Sequence, residues 1–123
     1  DCLTLYKAMQ ENLRGFSHIT GGGIAENTAR VIPDHLTAIY DRSTWTLPLE
    51  MEFMAHHGGV PQEDMERTWN CGIGMTAIVA PTEADRALAT LAARGMKAWV
   101  AGVVRERKNG EKGSALEGTY RAR

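Results

Sequence analysis

"FSHITGGGIAENTARVIP", Phe16 to Pro33, sets three consecutive glycines between a short apolar run and a segment with helical spacing. Apolar Phe16 and Ile19 and β-branched Thr20 predict a short strand over "FSHIT". Ile24, Ala25, Thr28 and Val31 lie on or near one face of a short helix. Pro33 ends that helix, because proline disfavours the helical conformation in the residue before it. Glycine tolerates positive φ, so successive backbone N–H groups at Gly21, Gly22 and Gly23 can converge into a concave nest. A helix N-terminus just downstream adds unpaired N–H groups and a partial positive charge, a place that suits phosphate or sulfate. The same three glycines also suit a plain strand-to-helix turn. Taken alone, they leave both readings open.

Residues around the glycines have paired readings as well. His18 stands two positions before them, and an imidazole near neutral pH can exchange a proton with a substrate nitrogen or oxygen. It can equally be a hydrogen-bonded strand residue. Asn27 and Arg30, on the following helix with Glu26, can bond a ligand and pair with phosphate, or form an exposed face and a local cap. A second constellation, "RTWNCGIGM", places Arg67, Asn70, Gly72 and Gly74 between a short helix and a strand. Glycine at a strand start suggests a close approach of backbone or ligand, or a bulge.

Further out, Leu3, Tyr6, Met9 and Leu13 predict a helix over residues 3–13, with Gly15 as its stop. "LTAIYD" predicts a strand. Leu47–His57 reads as a helix with Pro48 in its first turn, and "HHGGV" breaks it. "PQEDMERTW" reads as a second short helix with acids toward its positive end. Residues 73–104 give the most regular pattern: strand "IGMTAIVA", a helix with Thr82 as N-cap and Gly95 at its end, then strand "KAWVAGVV". That is the size of a βαβ unit. Asn109-Gly110 predicts a hairpin-type turn before a last edge strand, "SALEGTY".

The chain has 123 residues, 43% hydrophobic and 24% charged, the profile of one globular domain with a real core. Its formal charge of -1 offers no reason to invoke nucleic acid or a lipid surface. A basic bias is confined to residues 105–123, where six basic residues face three acidic ones, and reads as solvated surface. Cys2 and Cys71 form no CxxC pair, so no zinc site is expected and a reducing cytosol is the simpler setting. No run approaches membrane-span length. No GxxxxGK[ST], no acid cluster suited to magnesium and no serine or cysteine nucleophile motif is present. A helix starting at the first residue, without a Met, reads as a cut, so a fragment is expected.

Read together, "HITGGGIAENTARVIP" and "EMEFMAHHGGVPQEDMERTWNCGIGM" resemble the C-terminal domain of phosphoribosylformylglycinamidine cyclo-ligases, the aminoimidazole ribonucleotide synthetases. Both long motifs occur in the family's order, and the resemblance covers nearly the whole chain. It implies an α/β fold, a three-layer α/β/α unit whose mixed sheet has partial ferredoxin-like topology. It also implies an enzyme that uses ATP to activate the formyl oxygen of formylglycinamidine ribonucleotide. A nitrogen then closes the imidazole ring, and ADP and phosphate leave. ATP and magnesium would be bound mainly by an N-terminal domain absent from these residues, and the full-length enzyme would be a cytoplasmic homodimer. Carried onto this sequence, His18 becomes a catalytic candidate. Thr20, Gly21, Gly22, Gly23, Asn27 and Arg30 become substrate- or phosphate-binding candidates, and Asn70, Gly72 and Gly74 become structural or cleft residues. No metal ligand is assigned. Cys71 and Trp69 depart from the family's commoner Met and Phe. Selenophosphate synthetases and thiamine-phosphate kinases share the architecture. A non-catalytic phosphate-binding or assembly module is the alternative of another class. The isolated 123 residues are expected to be inactive.

Overall fold

A computed structural model describes all 123 residues. In chain order the elements are α1 (Cys2–Met9), β1 (Leu13–His18), α2 (Gly23–Ala29), β2 (Leu36–Asp41), α3 (Leu49–Gly58), α4 (Gln62–Thr68), β3 (Met75–Val79), α5 (Ala84–Ala92), β4 (Gly102–Glu106) and β5 (Ser114–Glu117). The strands form a pair, β1 with β3, and a three-stranded sheet in the order β4-β2-β5. The chain divides into two compact units, residues 1–16 with 77–100 and residues 17–76 with 101–123.

In the first unit, α1 and α5 bury Leu5, Met9 and Ala87, with Ala8, Leu13, Phe16, Val79 and Leu91 packed around them. The α1 stripe is therefore Leu5–Met9, spaced four apart, while Leu3 and Tyr6 stay exposed. The helix stops at Gln10, whose φ is 50°, and Gly15 lies inside β1 rather than ending the helix. At the far end of α5, Gly95 N–H bonds Ala92 O at 2.9 Å and Met96 N–H bonds Leu91 O at 3.1 Å, with Gly95 at φ 73°. This is the expected glycine closure of a helix. Its start differs from the expectation. Pro81–Glu83 form a 3-10 turn, Glu83 occupies the cap position, and no side chain caps the helix, Thr82 included.

In the second unit, β2 is central. It pairs antiparallel with β4, Ile39 opposite Val103, and parallel with β5, Ile39 opposite Ala115. The sheet is therefore mixed, as expected of the α/β class. Two expectations fail here. Strand β4 begins at Gly102, so Lys97–Val100 are not strand, and β3 and β4 lie in different sheets, so no βαβ unit joins them. Apolar alternation marks strand-forming residues but does not choose their partner. Likewise Asn109-Gly110 makes no hairpin, because β4 and β5 flank β2 instead of pairing with each other. Gly110, at φ 84°, instead sits in a turn closed by Glu111 N–H on Lys108 O. Helix α2 lays Ile24 and Thr28 into the core, where Thr28 Oγ1 and Tyr40 Oη are 2.7 Å apart. Ile19, Ile32, Ala38, Trp45, Met65, Cys71 and Ile73 complete the buried apolar set.

Candidate functional site

The glycine segment is a turn with a defined inside and outside. Gly23 N–H donates to Thr20 O at 3.1 Å, and Gly22 has φ 99° and ψ -13°, the pattern of a type II turn with glycine at its third position. Asn27, buried on α2, clamps it. Its side-chain amide donates to Thr20 O and Gly21 O, each at 3.2 Å, and to Gly23 O at 2.8 Å. Its Oδ1 accepts from Thr20 Oγ1 at 3.4 Å. In a planar trans peptide the C=O and the next N–H point in opposite directions. With the Thr20 and Gly21 carbonyls turned to Asn27, the N–H groups of Gly21 and Gly22 point away from it.

The three glycines have different reasons to be glycine. A Cβ on Gly21 would meet no atom within 4 Å. One on Gly22 would lie 2.7 Å from Glu26 Oε2, on a residue already at positive φ. One on Gly23 would lie 1.6 Å from the Glu66 carbonyl oxygen. Gly23 therefore permits backbone-on-backbone contact between α2 and α4, while Gly21 is left open.

His18 ends β1 with its side chain exposed. Arg30 is paired with Glu26 at 3.0 Å on the exposed face of α2, and its Nη1 reaches Asn27 Oδ1 at 3.4 Å. Glu26 thus brings a carboxylate to the turn, and Arg30 balances it.

The second motif is also a turn. Ile73 N–H donates to Asn70 O at 2.9 Å. Cys71 at φ 50° and Gly72 at φ 92° give it the type I′ form. Asn70 Oδ1 accepts from Gly72 N–H at 3.0 Å, and a Cβ on Gly72 would sit 3.0 Å from the Pro48 ring. Ile19 N–H donates to Gly74 O at 3.0 Å, so one backbone bond joins the two motifs, which lie far apart in sequence. Arg67 turns outward to Glu63 and stays exposed.

Beside α4 lies a cluster that the sequence does not announce. Glu66 Oε1 and Oε2 accept from Arg42 Nε and Nη2, each at 2.8 Å, and Tyr120 Oη donates to Glu66 Oε1 at 2.8 Å. The two charged side chains are only 14% and 11% exposed. Burial pushes the Glu66 carboxyl up, but the Arg42 and Tyr120 hydrogen bonds outweigh it and hold the group below its ordinary range. Tyr120 is pushed up by burial and by its bond to Glu66. Trp45 stands edge-on to Tyr120 at 5.4 Å, and its Nε1–H donates to Cys71 O at 3.0 Å. Burial pushes the Cys71 thiol up, which makes it an inert packing group. Glu66 was visible as the last residue of "EDME", but nothing local points to Arg42 or Tyr120 as its partners.

The family profile of the AIR synthase related protein, C-terminal domain, matches residues 2–113. The chain belongs to this family. Among curated relatives of this AIR synthase C-terminal domain, a phosphoribosylformylglycinamidine cyclo-ligase of Burkholderia cenocepacia (strain HI2424) is 46% identical over 81% of the chain. One of Chromobacterium violaceum is 48% identical over 80% of it. A Streptomyces fradiae relative, 48% identical over 98% of the chain, carries a provisional form of the same name. The domain spans 28% and 29% of the first two relatives' lengths and 66% of the third's. No three His, Cys, Asp or Glu side chains gather as a group that could hold a metal ion. No helix is long and apolar enough to cross a membrane.

Proposed function

We propose that this domain is the C-terminal part of an ATP-dependent cyclo-ligase that closes formylglycinamidine ribonucleotide to aminoimidazole ribonucleotide, releasing ADP and phosphate, in the cytoplasm. The family membership and the names of its relatives support the reaction class. The observation that carries the site is the clamp of Asn27 on the turn carbonyls, which leaves the Gly21 and Gly22 N–H groups turned away from it. On this reading those N–H groups bind a phosphate of substrate, and Gly21 is open to receive it. Asn27 serves by orienting the turn rather than by touching the ligand. Arg30 neutralises Glu26, whose carboxylate would otherwise repel an anion. On the same reading His18, exposed at the end of β1, takes the proton released when the ring nitrogen attacks the activated formyl carbon. ATP and magnesium fall to the rest of the polypeptide, which forms the homodimer.

The test uses the full-length protein with formylglycinamidine ribonucleotide and ATP. Formation of the imidazole product with stoichiometric ADP supports the reaction, and its absence overturns it. Gly21→Asp places a negative charge at the open position without disturbing the turn, so KM for the ribonucleotide should rise at least roughly tenfold, the effect of one lost charged interaction. Unchanged KM and turnover would remove phosphate from the turn. His18→Ala with wild-type turnover across the neutral pH range would remove His18 from the chemistry.

A further inference from the structure

Gly118–Arg123 lie beyond the family-matched residues 2–113, yet they contact much of the second unit. Gly118 O accepts from Arg42 Nη1 at 3.1 Å. Tyr120 Oη donates to Glu66, and the Tyr120 ring packs against Trp45 with the Arg42 guanidinium 5.9 Å from its centroid. Arg121 N–H donates to Trp45 O at 3.1 Å, and Arg123 Nη2 reaches Leu47 O and Glu52 Oε2. A segment outside the helices and strands that is tied by this many bonds is a strap.

The strap reaches both glycine motifs. Through Tyr120 and Arg42 it holds the Glu66 side chain, and the backbone carbonyl of that same residue is the surface on which Gly23 rests without space for a Cβ. Through Trp45 it holds Cys71 O, the centre of the second turn. A contact with no room for a methyl group transmits displacement, because close-packed backbone does not compress.

We propose that the strap, with Tyr120 and Arg42 as positioning residues, fixes the glycine turn in its ligand-ready form by holding Glu66 and therefore α4 against Gly23. The geometric part stands on the contacts above, and its kinetic consequence rests on the phosphate reading of the turn. Tyr120→Phe keeps the ring and its packing on Trp45 but deletes one bond to a carboxylate.

The experiment is hydrogen exchange with mass spectrometry on the full-length protein, following peptides over residues 17–29, alongside steady-state kinetics. Tyr120→Phe should speed exchange over that segment roughly tenfold while α5 is unchanged, the size expected for losing one charge-assisted hydrogen bond. KM for the ribonucleotide should rise with kcat changed little. Glu66→Gln, which preserves shape and loses charge, should do the same and serves if Tyr120→Phe lowers expression. Wild-type exchange over residues 17–29 in both variants overturns the proposal. Faster exchange with unchanged KM upholds the strap and overturns the phosphate reading instead.

Discussion

At the residue scale, adjacent glycines are not interchangeable. Gly23→Ala sets a methyl group into the Glu66 carbonyl, at a position with φ 73°. Overpacking and left-handed backbone together should cost about 3 kcal/mol. Gly21→Ala meets nothing within 4 Å and needs no positive φ, so it should leave stability within about 0.5 kcal/mol or raise it slightly. Urea melts of the two variants check both statements. Glu66 yields a pH prediction. Its folded pKa lies below the ordinary 4.5, so its stabilising contribution is present above that value and is lost as pH falls through the folded pKa. Glu66→Gln should be less stable than wild type near neutral pH, and the gap should narrow in acid. Glu111, held down to about 2 by its hydrogen bonds from Arg105 and the Lys108 backbone, loses its contribution between 4.5 and about 2 in both proteins. Denaturant midpoints at neutral pH and below 4.5 measure the gap.

At the element scale, β2 organises the second unit because it alone has partners on both edges. At Gly102 β4 lies against β2 with no room for a side chain: a Cβ there would lie 2.0 Å from Ile39 O. Gly102→Ala should therefore detach the start of β4, costing about 2 kcal/mol and speeding amide exchange in Val103 and Val104 ahead of β5. Exchange rising equally in β4 and β5 would show instead that the sheet opens as one piece. Helix α3 is the opposite case. It buries no residue, and Phe53 is 59% exposed, stacked on His57 at 3.9 Å. Phe53→Ser should change stability by no more than about 0.5 kcal/mol, which thermal melting of the chain tests. The strand "LTAIYD" was legible to the residue as β2, since β-branched Thr37 and Ile39 beside aromatic Tyr40 favour an extended chain. "KAWVAGVV" was not, because apolar residues at Ala98 and Val100 satisfy the strand pattern whether or not a partner edge is within reach.

At the scale of the whole molecule, the proposed reading puts ATP and magnesium on parts of the protein outside these 123 residues. The isolated chain should show no ribonucleotide-dependent ADP release, while the full-length protein should. Detectable cyclase turnover by the chain alone would place the nucleotide site within these residues. Sequence by itself determined the family, the two motifs and most of the helices, because glycine placement, proline stops and apolar spacing act within a few residues of one another. Only the tertiary structure decided which glycine is open and which is walled in. It also turned Asn27 inward onto the carbonyls of its own turn and joined Ile19 to Gly74. Arg42, Glu66 and Tyr120 became one cluster by folding across separations of 24 and 54 residues. Such contacts follow from the path of the backbone in space, and no local pattern in the chain encodes a partner at that distance.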